Sequence, residues 1–155
     1  MKTISHIIAL IIIALSFNAC THNNGDIGDI FGTWKLESIT INGENDTTYQ
    51  NNILWKFQAS IISMIRANDI THDRLETWGS WSFADDETKL LLNFTHTDDY
   101  NPNMGSTKYS PLPETYLPKS TTSTLSIITL NGDNMILLYN SEDGNKYIFK
   151  FKKWG

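Results

Sequence analysis

The sequence predicts an all-β domain, an eight-stranded antiparallel up-and-down barrel preceded by a signal peptide. Three observations carry that expectation. Apolar residues alternate with polar ones at period two along most of the chain after residue 30. Clusters of Asp, Asn, Gly and Thr interrupt these runs at turn spacing. The 155 residues make one ordinary domain, and eight strands with short links are best served by closure, which removes both edge strands.

The chain begins with Lys2 and the apolar run from Ile7 to Leu15. A run this short cannot cross a bilayer as a stable helix, which needs about 20 apolar residues, but it fits a signal-peptide core. Ser16-Phe17-Asn18-Ala19-Cys20 follows. Ala19-Cys20, with relaxed residues before it, resembles the lipobox of Bacteroidetes-type lipoproteins. The resemblance implies that Cys20 is lipidated and becomes the mature N-terminus. It also implies an exported protein anchored by lipid in the cell envelope, at the outer membrane. A plain signal peptide cut at the same place, leaving a free thiol, is the alternative. Thr21 to Asp29 is polar with two glycines and reads as a tether, holding the domain roughly 15–20 Å from the membrane. The chain thus divides into signal peptide (1–19), lipidated tether (20–29) and barrel (30–155).

The strands then follow in order, here lettered A to H. In strand A, Trp34 and Leu36 face one way, and Ile39 and Ile41 resume that face after a one-residue shift, which predicts a bulge near Glu37-Ser38. Ile53, Trp55 and Phe57 form B. Residues 60–67 form C, although Leu54, Phe57, Ile61, Met64 and Ile65 also fit a helix. β-branched and aromatic content favours two strands, 53–58 and 60–67. Leu75, Trp81 and Phe83 share a face of D; Leu90, Leu92 and Phe94 make E. Leu125 and Ile127 lead to Leu130 in F. Met135, Leu137 and Tyr139 make G. Tyr147, Phe149 and Phe151 make H, the cleanest alternation of all.

In a meander alternate links share an end. The links 42–52, 67–73 and 95–121 and the G–H turn gather at one mouth, with both termini at the opposite, closed end. The 95–121 link holds all four prolines together with Tyr100, Tyr109 and Tyr116. Such length marks a functional or mobile loop. It is expected either to fold over the mouth or to cover a barrel edge. As a surface loop its removal should leave the barrel folded.

Ile30-Phe31-Gly32-Thr33-Trp34-Lys35-Leu36 resembles the Gly-x-Trp motif that opens strand A in lipocalins and bacterial lipocalin-like lipoproteins. Gly79-Ser80-Trp81-Ser82-Phe83, the polar turn and Lys89-Leu90-Leu91-Leu92 are similar to the D–E hairpin of that group, as is the ending from Lys146 to Lys153. The likeness covers about residues 30–153. It implies a closed or nearly closed barrel, often with an internal cavity. It also implies that Gly32 and Trp34 form the motif at the closed end, Trp34 packing there beneath a cation supplied by Lys152 or Lys153. Asp46-Thr47-Thr48 resembles the sites at which Bacteroidetes O-glycosylate exported proteins, with Thr47 the acceptor.

Net charge is −5, from 12 basic and 17 acidic residues; losing Lys2 with the signal peptide leaves 11 against 17, or −6. A nucleic-acid partner would need a basic face and is not expected. One cysteine excludes a disulfide framework and a Cys-rich zinc site. The chain lacks a P-loop, a dinucleotide fingerprint, Gly-x-Ser-x-Gly and His-Glu-x-x-His. No catalytic residue, metal site or cofactor is expected. His72-Asp73, and His96 ahead of Asp98-Asp99, fall at the mouth but define no ligand set. The function expected is binding of a small apolar or amphipathic molecule, lined by Trp55, Phe57, Trp81, Phe83, Tyr139, Tyr147 and Phe149. An eight-stranded barrel can equally be filled by such side chains. The protein would then be an interaction or structural subunit of an envelope complex, its partner undefined by the sequence.

Overall fold

A computed structural model describes residues 28–67, 74–96, 109–119 and 121–155. Its strands are β1 (Gly32–Ile41), β2 (Glu44–Asn45), β3 (Ile53–Gln58), β4 (Ile61–Ala67), β5 (Arg74–Ala84), β6 (Lys89–Asn93), β7 (Thr122–Leu130), β8 (Asn134–Asn140) and β9 (Lys146–Lys153). All neighbours pair antiparallel, and β1 pairs with β9. Eight long strands therefore close an up-and-down barrel, and the two-residue β2 is an addition to the eight expected. It forms because Asn42 and Gly43 both take positive φ, 52° and 93°, as a two-residue hairpin of type I′ requires. Ile41 then faces Glu44.

The helix alternative for residues 53–67 is not realised. Gln58 pairs with Ile61 across Ala59-Ser60, with Ala59 in the left-handed region at φ 48°. The strand A bulge lies between Leu36 and Ser38. A second bulge between Ile127 and Thr129 accompanies the exposure of Ile128, at 59%. That register shift lets Leu130 continue the face of Leu125 and Ile127. Leu75 departs from expectation: it is exposed, whereas Trp81 and Phe83 on the same strand pack against the core.

Register places Gly32, the β3–β4, β5–β6 and β7–β8 turns and Lys153 at one end. The β1–β3 link, the β8–β9 turn and, through Glu114 and Tyr116, the segment 109–119 lie at the other. The latter segment differs from the surface loop expected. It carries a short 3-10 turn, Pro113–Thr115, and Leu112, Thr115 and Leu117 are buried, the two leucines within the barrel's own apolar cluster. Apolar side chains recruited from a loop are core, so excision should cost stability.

Candidate functional site

The candidate site is the barrel interior and the segment that stoppers its mouth. At the closed end, Gly32 enters β1 with φ 103°, a conformation that suits a residue lacking Cβ. Trp34 follows, fully buried, its Nε1–H donating to the Ile30 carbonyl at 2.7 Å. Lys153, not Lys152, supplies the cation: its Nζ stands 4.1 Å from the Trp34 ring centre and donates to the carbonyls of Asp29 (3.0 Å) and Phe31. Burial holds the Lys153 ammonium below its usual range, partly offset by the Asp29 carboxylate. These bonds tie residues 29–31 across the base of the barrel.

Above this base the interior is aromatic. Trp55 lies 4.8 Å from Phe151, 6.0 Å from Phe149 and 6.4 Å from Phe57 between ring centres. Phe57 meets Trp81 edge-on at 5.4 Å, and Trp81 meets Phe83 at 5.3 Å. Trp55 and Phe149 thus share the interior, while Phe57, opposite Gly32, and the half-buried Trp81 and Phe83 sit toward the closed end near Phe31. Tyr139 and Tyr147 sit at the mouth, 6.0 Å apart and nearly parallel. Burial, then the carboxylates of Glu142 and Asp143, raises the Tyr139 phenol above its usual value.

A void able to hold water would expose the atoms around it. Trp55, Met64, Leu90, Leu92, Leu137 and Phe149 have no exposed surface, so the interior around them is packed. Several hollows lined by described residues lie outside it. One of about 520 Å³ runs between Ile61, Trp78, His96 and Tyr109 on the outer wall, and one of about 360 Å³ lies under the closed end between Ile30, Phe31, Phe83 and Ile127. Yet the interior keeps polar atoms without partners. Trp55 Nε1–H and the Ser123 hydroxyl are buried with no hydrogen bond, and they face inward from strands on opposite sides of the barrel. Unpaired buried donors are rare and call for an explanation.

The stopper is latched at two points. Arg66 pairs with Glu114. The Tyr116 hydroxyl donates to Asp46 Oδ2 at 2.8 Å, and its ring stacks on Tyr147 at 5.0 Å. The other Asp46 oxygen accepts from the Thr48 amide (2.8 Å) and hydroxyl (2.6 Å). The Thr48 hydroxyl, foremost, holds the Asp46 carboxyl below the usual carboxylate range, and the bond to Asp46 raises the Tyr116 phenol. Thr47 stands exposed between these partners. Of the latch residues the sequence singled out Tyr116 and, for a different role, Asp46; Arg66 and Glu114 were not marked. Leu112 and Leu117, apolar positions among prolines, were the available signal for a buried stopper.

His96 is exposed, and its carbonyl accepts from the Tyr109 amide at 2.9 Å. Cys20, His72, Asp73, Asp98, Asp99 and Tyr100 lie outside the described residues. Among the described residues no group of three His, Cys, Asp or Glu side chains is placed to hold a metal.

The chain matches the family model of a lipocalin-like domain over residues 13–153. Among solved structures it is similar to a lipocalin-like protein from Bacteroides uniformis ATCC 8492, at 18% identity and a TM-score of 0.56, covering 82% of this chain and 100% of the other. It is also similar to a protein from Bacteroides eggerthii DSM 20697, at 14% identity and a TM-score of 0.57, covering 81% and 100%. At these identities the likeness concerns the fold. No curated protein matches the chain.

Proposed function

Because the chain belongs to the lipocalin-like domain family, we propose that it binds a small apolar or amphipathic molecule inside the barrel, and that it does so as an exported protein lipidated at Cys20 and held in the cell envelope. The observation that carries the binding reading is the unpartnered Trp55 Nε1–H, buried with the unpartnered Ser123 hydroxyl in a largely apolar interior. A ligand with an aliphatic or aromatic body and one hydrogen-bond acceptor would satisfy that donor. Entry requires the stopper to withdraw, because Leu112 and Leu117 occupy the mouth. Withdrawal breaks the Arg66–Glu114 pair and the Tyr116–Asp46 bond, both partly exposed and so modest in strength.

The packed interior favours a second reading, a filled barrel acting as an interaction module. One titration separates the two. A fluorescent fatty-acid analogue added to the parent should quench tryptophan emission saturably. Leu117→Ala, which opens space under the mouth, should tighten binding. No saturable quenching by the parent or by Leu117→Ala supports the filled module. Separately, Cys20→Ala should release the protein from the membrane fraction; retention there with unchanged mass would remove the anchor.

A further inference from the structure

The outer wall near the closed end gathers three lysines, with Glu37 two positions beyond Lys35 on β1 and Glu76 lining the same hollow as Lys56. Lys35 on β1 lies directly opposite Lys152 on β9. Lys56 on β3 lies opposite Thr33, two positions before Lys35. All three side chains point outward, since the alternate residues Trp34, Trp55 and Phe151 face the core. Like charges opposite one another on a sheet are unfavourable, and among the described residues no ion pair joins a carboxylate to these lysines. Trp154 continues the wall, 54% exposed, with Lys35 Nζ 5.5 Å from its ring centre.

In the barrel order, β6 stands diametrically across from β1. The β5–β6 turn there carries exposed Asp85, Asp86 and Glu87. In a chain of net charge −5, lysines thus gather on one side of the closed end and an acidic turn stands across from them, where Asp85 pairs with Lys89. Asp29 and Asp133 lie on the basic side, at Lys153. Asp29 accepts from Lys153 through its carbonyl, and the Asp133 carbonyl accepts from the Lys153 amide.

We propose that the wall formed by Lys35, Lys56, Lys152 and Trp154 docks on an anionic phospholipid surface. Two facts select this occupant. Lysines near such a surface are each attracted by its negative potential, and tryptophan favours the headgroup region. The chain also leaves the barrel at this end: Gly28 is eight residues from Cys20, a reach of at most about 29 Å when fully extended. The second fact rests on the lipid anchor proposed above; the charge pattern does not. Docking would lay the basic wall on the bilayer, turn the acidic turn away and leave the mouth unobstructed.

The test uses the unlipidated chain from Thr21 onward, which keeps every described residue, so that the wall is measured without the anchor. It should co-sediment with phosphatidylcholine vesicles containing phosphatidylglycerol and not with phosphatidylcholine alone. Changing Lys35, Lys56 and Lys152 together to Gln should weaken that partition roughly a hundredfold. Changing Lys119 and Lys146, exposed at the mouth, should leave it nearly unchanged. Equal partition to both vesicles, no partition to either, or equal losses from wall and mouth variants would overturn the proposal. Loss of fractionation by Cys20→Ala addresses the anchor alone, so the two ideas fail separately.

Discussion

Trp34 shows how much one position can hold. Its indole is buried on every side, hydrogen-bonded at 2.7 Å to Ile30 and capped by the Lys153 ammonium. Burial of the ring outweighs the cation–π contact, which contributes about 0.5–2 kcal/mol. Trp34→Ala should therefore destabilise the fold by roughly 3–5 kcal/mol, while Lys153→Met should cost far less. Urea midpoints of the two variants check this ordering; equal losses would shift the weight from the ring to the ammonium. Trp55 is the counterpart, equally buried but with an idle donor.

At the scale of elements, residues 109–119 are the decisive piece. The four prolines and three tyrosines of the 95–121 link suggested an external loop, but the segment inserts Leu112 and Leu117 into the apolar cluster. Fully burying a leucine contributes about 1.5–3 kcal/mol. Replacing Tyr109–Lys119 by a Gly/Ser link should thus lower stability by roughly 3–6 kcal/mol, read as a reduced urea midpoint with the barrel's far-ultraviolet signature kept at low denaturant. A midpoint equal to the parent's would show the segment to be a surface ornament. Breaking only the Arg66–Glu114 latch should cost about 1 kcal/mol or less, since both side chains are a third or more exposed.

For the whole molecule, ionisation sets a window of stability. The Asp46 carboxyl is held low by the Thr48 hydroxyl, and Asp143 by the Ser141 hydroxyl. Groups with depressed values stabilise the fold above about pH 3.9, the unfolded value, and lose that contribution as pH falls through the lower folded value. Tyr49 behaves oppositely. Burial pushes its phenol up to about 12, where its hydroxyl donates to the Leu36 carbonyl at 2.6 Å. Its contribution is complete below about pH 10 and is lost as pH rises toward the folded value. Melting temperature against pH should fall on both flanks. Asp46→Asn should flatten the acid limb and Tyr49→Phe the alkaline one; unchanged limbs would assign the titration to other groups.

The strands were legible in the sequence because period-two alternation is a local property, written within each strand by which face meets the core. Even the bulge at Leu36/Ser38 could be read, from a one-residue slip between Leu36 and Ile39. The β2 hairpin was signalled by Asn42-Gly43 but passed for loop, since two exposed residues, Glu44 and Asn45, carry no apolar pattern. Three features belonged to the tertiary structure alone. Which lysine covers Trp34 depends on the register between β1 and β9. Whether the barrel is filled depends on the summed volumes of side chains from eight strands, which no single stretch encodes. The stopper depends on contacts between Tyr116 and Asp46 and between Arg66 and Glu114, 70 and 48 residues apart. Pairings across such separations form only once the barrel has closed and brought their strands to one end.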